Sequence, residues 1–371
     1  MNNGFSPWVF TTYACSCKCH YCMVPKIGNE SMSSETFEKM LQVTERIFDK
    51  GTYESASFRL SGGEPFIVWS KYKDLVSKYH KKHGQKMTFG VLSNLTVLTD
   101  DMIEWMKEND IGVQVSLDDL ENSKPMVDGG SSAPVVLKNI DRLRDAKVNF
   151  SINTVYDYEY ATSLKKLAEY VASINPNQWG LSASYTLNDD SHLEQIMDTI
   201  KLSILHLRDC GFDVRNKLRF YNEIINQPGK TCQAGCGLFA LGTNLEVFPC
   251  QQLIDKNPLG IFDENIKELL ATAEANEYFR NRTLLPECTD CSVLQWCRGG
   301  CRVIHQSDQK AVEITCKIKQ EVINFILKNT FQQQQFSNNC NCESNNWFDK
   351  LLQDYVAGNK EPVYVDTPSI D

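Results

Sequence analysis

Between Trp8 and Arg208 the chain alternates two hydrophobic rhythms. Short runs rich in aromatic, aliphatic and β-branched residues fall at Trp8–Tyr13, Ala56–Leu60, Met87–Leu92, Ile111–Leu117, Phe150–Val155 and Trp179–Tyr185, with the length and composition of buried strands. Between them lie stretches whose apolar residues return at helical spacing. Ser34–Lys50 carries Phe37, Met40, Leu41, Ile47 and Phe48 on such a stripe. Further helices are predicted over Trp69–His83, Asp100–Asn109, Pro134–Ala146, Leu164–Ile174 and Leu193–Arg208. Thr99 is placed to cap the third helix, and Pro134 opens the fourth. Six strand–helix units in succession imply an α/β fold with a parallel sheet and right-handed crossovers. The pattern alone does not separate an open barrel of six units from a doubly wound sheet.

The 371 residues suffice for two or three domains and a full core. A net charge of -9 argues against nucleic acid or an anionic membrane as a main partner. No apolar run reaches bilayer-spanning length, and the first residues do not form a secretory signal. Fifteen cysteines without such a signal point to a reducing, cytoplasmic setting and to iron–sulfur ligation rather than disulfides.

Cys15, Cys19 and Cys22 form a C-x3-C-x2-C knot on the loop after the first strand, the end where barrel-like α/β folds carry chemistry. A [4Fe-4S] cluster closed by protein alone takes four thiolates, so three ligands leave one iron open to another molecule. The competing readings are a zinc site and a disulfide framework. Zinc needs a fourth ligand, and His20, the nearby candidate, lies inside the knot itself. Cys17 has the wrong spacing for a ligand and is expected to be a free thiol.

This knot, with Tyr21 just before its third cysteine, resembles the signature of the radical S-adenosylmethionine (radical SAM) enzymes. The resemblance continues at Gly62-Gly63-Glu64-Pro65 after the second strand, which corresponds to the family's GGEP turn for the methionine amino group. It continues at Ser93-Asn94 after the third strand and at Ser116-Leu117-Asp118 after the fourth, ends that in relatives contact the cofactor's ribose and carboxylate. There are departures. Leu95 and Asp119 stand in glycine places, and only Lys124 follows Asp118 where relatives often have arginine. The resemblance implies a partial (β/α)6 barrel, one SAM-binding [4Fe-4S] cluster and S-adenosylmethionine. Tyr21, Gly62, Gly63, Glu64, Ser93, Asn94, Ser116 and Asp118 are the implied cofactor contacts.

A second cysteine set lies downstream. Cys288, Cys291, Cys297 and Cys301 form C-x2-C-x5-C-x3-C, Cys316 follows, and Cys232, Cys236 and Cys250 precede. Eight thiolates suffice for two complete cages, although paired zinc ribbons would use the same count. The set resembles the SPASM extension of peptide-modifying radical enzymes. That resemblance implies one auxiliary cluster on Cys232, Cys236, Cys250 and Cys301, and another on Cys288, Cys291, Cys297 and Cys316. Leu245 replaces a glycine usual before the third ligand. The implied division is a barrel over 1–225, a cysteine-rich SPASM domain over 226–330 and a polar linker and tail over 331–371. Cys210 is expected to be a small buried hydrophobe, Cys340 and Cys342 to follow a glutamine-rich linker, and Trp347–Val356 to form a short helix. No histidine stands with a cysteine or an acid at a spacing that suggests nucleophilic catalysis.

The combined likeness, over about residues 8–325, is to radical SAM/SPASM maturases. It implies oxidative crosslinking of a ribosomally made precursor peptide. An electron donor such as flavodoxin or ferredoxin is implied, and leader recognition by a separate protein or by the barrel's own face. Formylglycine formation in a sulfatase and peptide epimerisation are the alternatives, with a multi-cluster electron carrier as the non-enzymatic one. The sulfatase-maturing branch has an aspartate base directly after the third ligand of its first auxiliary cluster. Gln251 stands there, and an amide takes no proton at neutral pH. The cofactor-building branch typically replaces one cysteine of the C-x2-C-x5-C set with aspartate, whereas Cys297 is intact.

Overall fold

In the computed structural model of the protein, the six expected strands form and lie side by side in chain order. The structure describes residues 3–22, 24, 28–157, 163–184, 187, 189–226, 234–235, 237–272, 288–301, 303 and 309–336. The strands are β1 (Gly4–Thr12), β2 (Ser55–Gly62), β3 (Met87–Ser93), β4 (Gly112–Ser116), β5 (Phe150–Tyr156) and β6 (Trp179–Ala183). Each pairs in parallel with the next. A doubly wound sheet reverses its strand order at a switch point. Here the order β6-β5-β4-β3-β2-β1 has no reversal, so right-handed crossovers bring every helix to one face. The fold is therefore the partial (β/α)6 barrel.

That winding explains the burial along each strand. Side chains alternate between faces. Phe58 and Leu60, Phe89 and Val91, Val113 and Val115, and Phe150 and Ile152 are buried on the helix side. The intervening Arg59, Ser61, Thr88, Gln114, Ser151 and Asn153 are only half-buried and line a polar lumen.

The crossover helices are α1 (Ser34–Asp49), α2 (Lys73–His83), α3 (Asp100–Glu108), α4 (Ala133–Asp145), α5 (Leu164–Ile174) and α6 (Leu193–Asp209). Ser33 caps α1 by accepting the Thr36 N–H at 3.0 Å, and Thr99 caps α3 by accepting that of Met102 at 3.3 Å. The helix expected from Trp69 divides into a 3-10 stretch, Pro65–Lys71, and α2, because Val68 and Tyr72 leave helical geometry. Cys210, just past α6, is exposed rather than buried, with its sulfur 3.4 Å from Nε2 of His206.

After α7 (Val214–Lys217) and α8 (Arg219–Asn226), β7 (Leu238–Leu241) joins the free edge of β1 in parallel. It continues antiparallel into β8 (Glu246–Phe248) and β9 (Gly260–Ile261), followed by α9 (Ile266–Leu270). Leu294–Cys297 forms one helical turn, and α10 spans Gln309–Phe336. The glutamine run Gln332–Gln335 is thus the end of a helix and not a linker, in keeping with glutamine's good helix propensity. Residues 1–326 form one compact unit and 327–371 a second. Cys340, Cys342 and Trp347–Val356 lie outside the described residues. Among the described residues no helix is long and apolar enough to cross a membrane.

Candidate active site

β1 delivers the knot and β2 delivers the turn that braces it. A Cβ on Gly62 would lie 2.1 Å from the Thr12 carbonyl oxygen, and one on Gly63 2.1 Å from that of Ala14. Side-chain room at this turn is closed by the chain's own backbone, so the glycines are required before any ligand arrives. The Gly63 N–H donates to Thr12 O at 2.7 Å and the Glu64 N–H to Ala14 O at 2.8 Å. Pro65 has no N–H, and that of Phe66 donates to Glu64 Oε1 at 3.1 Å. From Gly63 to Phe66 every backbone donor is spent. The turn has only carbonyl oxygens left to offer, which suits an ammonium ligand.

Glu64 is fully buried and turned inward. It accepts from Ser93 Oγ at 2.8 Å and from the Asn94 N–H at 2.7 Å, which ties the β2 turn to the end of β3. Burial raises its carboxyl, the three donors pull it back, and the result is about 7. Glu64 and Ser93, expected at the cofactor, thus spend their side chains on each other. Asn94 reaches the knot, donating to Ser16 Oγ at 3.0 Å and to Cys15 Sγ at 3.5 Å.

The knot is also held from the β4 side. Cys17 bridges to Met126, Lys18 N–H donates to Pro125 O at 2.9 Å and Val127 N–H to Ser16 O at 2.9 Å. The same segment brings in Lys124, buried beside Asp118 and hydrogen-bonded to it. Lys124 Nζ donates to Tyr21 Oη at 2.6 Å, Tyr21 donates to Asp118, and the other Asp118 oxygen accepts from Val155 N–H at 2.9 Å. Burial pulls the Lys124 ammonium down, but the Asp118 carboxylate and the Cys19 thiol outweigh it and raise it above the ordinary lysine range. Lys124 therefore puts a cation at Asp118 where the sequence lacked arginine. Ser116 ends β4, level with Asn153.

Cys15, Cys19 and Cys22 are half-buried and unbridged on this loop. Cys17 is buried; its N–H donates to Cys15 Sγ at 3.4 Å, and hydrogen bonding from its thiol draws Cys15 down to about 6. A thiolate held by N–H and S–H donors with an ammonium nearby fits a cluster ligand. Sequence spacing missed a further pair. His20 Nε2 lies 2.7 Å from Asp157 Oδ2, with Asp157 buried at the end of β5 and His20 43% exposed. The two are 137 positions apart, so only the closing of the barrel brings them together.

Of the second cysteine set, Cys232 and Cys236 lie outside the described residues. Cys250 packs with Ala234 and Leu253, and Leu238 and Val303 close the patch. In sequence Ala234 lies between Cys232 and Cys236, and Val303 is two positions after Cys301. Cys316 has its thiol raised by burial and then by the neighbouring Cys297, Cys288 and Cys291. Leu95 and Leu245 keep the positive φ of the glycines they replace, +61° and +67°, with side chains buried.

Comparison with known proteins agrees with this geometry. Residues 9–171 match the radical SAM superfamily model. A cysteine-type anaerobic sulfatase-maturating enzyme of Clostridium novyi is 23% identical, over 78% of this chain and 85% of its own. The radical SAM cyclopropyl synthase TigE of Paramaledivibacter caminithermalis is 21% identical, over 77% and 65%. The structure of anSMEcpe with bound AdoMet and Cp18Cys peptide superposes with a TM-score of 0.74 at 19% identity, over 88% of this chain and 98% of that one. Streptococcus suis SuiB bound to its precursor peptide SuiA gives 0.60 at 15%, over 84% and 75%.

Proposed function

We propose that this chain, which belongs to the radical SAM superfamily and is of the sulfatase-maturase/SPASM type, oxidatively modifies a peptide held in the polar lumen of its barrel. Cys15, Cys19 and Cys22 would hold the cofactor cluster, and the Gly62–Gly63 turn and the Asp118–Lys124–Tyr21 group would hold S-adenosylmethionine. When bound there, such cofactors would supply the radical chemistry for removing a substrate hydrogen atom. The observation that carries the reading is the mouth of the barrel. There a turn with only acceptors left, a loop of three cysteines and a buried ammonium converge on one strand-end face.

The chain's own part is placement. Tyr21 is fixed by Lys124 and Asp118, and Cys15 is steered by Asn94 and Cys17. Auxiliary clusters on Cys232, Cys236, Cys250 and Cys301, and on Cys288, Cys291, Cys297 and Cys316, would carry electrons away. Gln320, one helical turn after Cys316 on α10, donates to Cys291 Sγ at 3.6 Å, and this approach of the helix to Cys291 supports the second set. A small flavoprotein or ferredoxin is the fitting electron donor.

Gln251 favours crosslinking over formylglycine formation, since its amide oxygen accepts a hydrogen bond from Cys250 but is no base at neutral pH. The names of the relatives support formylglycine formation as the second reading. Mass spectrometry after anaerobic turnover separates them. A precursor peptide losing about two mass units per modification is expected. Conversion of a sulfatase-derived cysteine peptide to formylglycine would select the second reading. A wild-type protein that makes no 5'-deoxyadenosine from S-adenosylmethionine under strong reductant would remove both.

A further inference from the structure

Inside the lumen stand two guanidinium groups, Arg59 and Arg219, that form no ion pair among the described residues. Arg59 lies in mid-β2, level with Trp8 of β1 and Gly90 of β3, with its guanidinium carbon 5.7 Å from the centroid of the Trp8 ring. Arg219, at the start of α8, reaches across the sheet. It donates to Gln178 Oε1 at 3.0 Å, Asn153 Oδ1 at 3.3 Å and Gln114 Oε1 at 3.0 Å. Its path exists because β6 carries Gly180, where a Cβ would lie 2.8 Å from the guanidinium carbon. All three acceptors are neutral amides. Among the described residues no carboxylate forms an ion pair with either arginine, and Glu223 acts on Arg219 only from beyond that distance. Burial and then the charge of Arg219 lower Arg59.

Two like charges half-withdrawn from water in one lumen repel each other, and an anion bound between them relieves that repulsion. Room for it is present. Gly90 is level with Gly112 of β4, and a Cβ on either meets nothing nearer than 3.5 Å. Arg59 also lines, with Ser57 and Thr88, a cavity of about 330 Å³ that opens at the strand N-terminal ends beside Gly4 and Gln85. Toward the other end, Arg59 is three residues from Gly62, about 10 Å at strand rise, within reach of a peptide whose other part lies at the cofactor turn.

We propose that Arg59 and Arg219 form a carboxylate subsite in the lumen, selecting a substrate peptide that carries an acidic group next to its modified residue. This rests on the peptide reading above. In a chain of net charge -9 an acidic peptide is repelled overall, so its acceptance needs such a local pair. The carboxylate is that of an Asp or Glu side chain or of the peptide's own C-terminus.

The test is equilibrium binding of short fluorescein-labelled peptide pools to the reconstituted protein with S-adenosylmethionine and no reductant. The pools are randomised except for a central Glu or a central Gln. Both are made with an amidated C-terminus, and the Gln pool also with a free one. Wild type should bind a carboxylate-bearing pool about tenfold more tightly than the amidated Gln pool, with the better of the two identifying the source. Arg59→Gln and Arg219→Gln should each lose the preference while keeping the wild-type circular dichroism spectrum, and Arg59→Lys should keep part of it. Equal affinity of wild type for all pools, absence of binding included, overturns the subsite. So does a preference that survives in both glutamine variants. The binding assay reads no turnover, so a wild type that shows no preference but cleaves S-adenosylmethionine in a separate assay under strong reductant removes the subsite alone, and a wild type that fails to cleave it removes the radical reading instead.

Discussion

Gly63→Ala is the sharpest perturbation of the mouth. The added methyl would sit 2.1 Å from Ala14 O, 2.5 Å from Ala14 C and 2.6 Å from Tyr13 O. All three are backbone atoms, so no side chain can rotate away and the β1 end must move by about 1 Å to reach ordinary contact. That movement strains the bonds from Gly63 N–H to Thr12 O and from Glu64 N–H to Ala14 O. Two weakened backbone bonds at about 1 kcal/mol each, with about 1–3 kcal/mol of overpacking, give a destabilisation of about 3–5 kcal/mol. At about 2 °C per kcal/mol for a chain of this size, the melting temperature should fall by about 6–10 °C. Ala14 directly precedes Cys15, so the reconstituted protein should also lose iron and sulfide. The assay is thermal unfolding with anaerobic iron and sulfide analysis on the same samples. If the glycine served only to admit a ligand, iron content would be unchanged and S-adenosylmethionine cleavage alone would fail. A variant that melts within a degree of wild type with full iron refutes the backbone argument.

Reconstituted protein should hold about twelve irons and twelve sulfides, and Cys15→Ala with Cys19→Ala and Cys22→Ala should remove about four of each; abundant zinc with little sulfide counts against this. Glu64, raised to about 7 from its ordinary 4.5, binds its proton more tightly in the folded chain. Its stabilisation is therefore full below about pH 4.5 and is lost as pH rises through 7, a change of about 3 kcal/mol in denaturant unfolding that Glu64→Gln should abolish. A wild-type-minus-variant difference that stays constant across this range would contradict it. Lys124→Met should cost about 3–5 kcal/mol by leaving the Asp118 carboxylate buried and unpaired, and adding Asp118→Asn should recover part of that in the same unfolding assay. Full additivity of the two changes would show that the pair does not act as one unit.

Much of this was legible because it is local. Strand runs, helical stripes, caps and the C-x3-C-x2-C spacing are each written within a few residues. What was not legible depends on closure. His20 meets Asp157, and Lys124 meets Tyr21, only once β4 and β5 stand beside β1's loop. The polar lumen had a signal in the strict alternation of Met87-Thr88-Phe89-Gly90-Val91, since a sheet covered on both faces reads as a continuous apolar run. The glycine departures were weaker departures than they looked. Leu95 and Leu245 adopt the left-handed backbone, at about 1–2 kcal/mol each, and the side chain each adds is buried, which contributes about 1.5–3 kcal/mol. The loop path survives because the core gains what the backbone loses.

Gln251 Oε1 lies 3.2 Å from Cys250 Sγ, at the head of the short 3-10 turn that Cys250 caps by accepting the Gln252 N–H at 3.5 Å. If Cys250 is a cluster ligand its sulfur is a thiolate and an acceptor only, so the amide must present its NH2 end instead. Gln251 is then a donor to a ligand sulfur, and it stabilises negative charge on that sulfur. An aspartate in this place would set a second negative charge against the first. The residue therefore does more than lack a base. On the proposed reading it would favour negative charge at Cys250, and a proton released by an oxidised substrate would have to leave toward another part of the lumen.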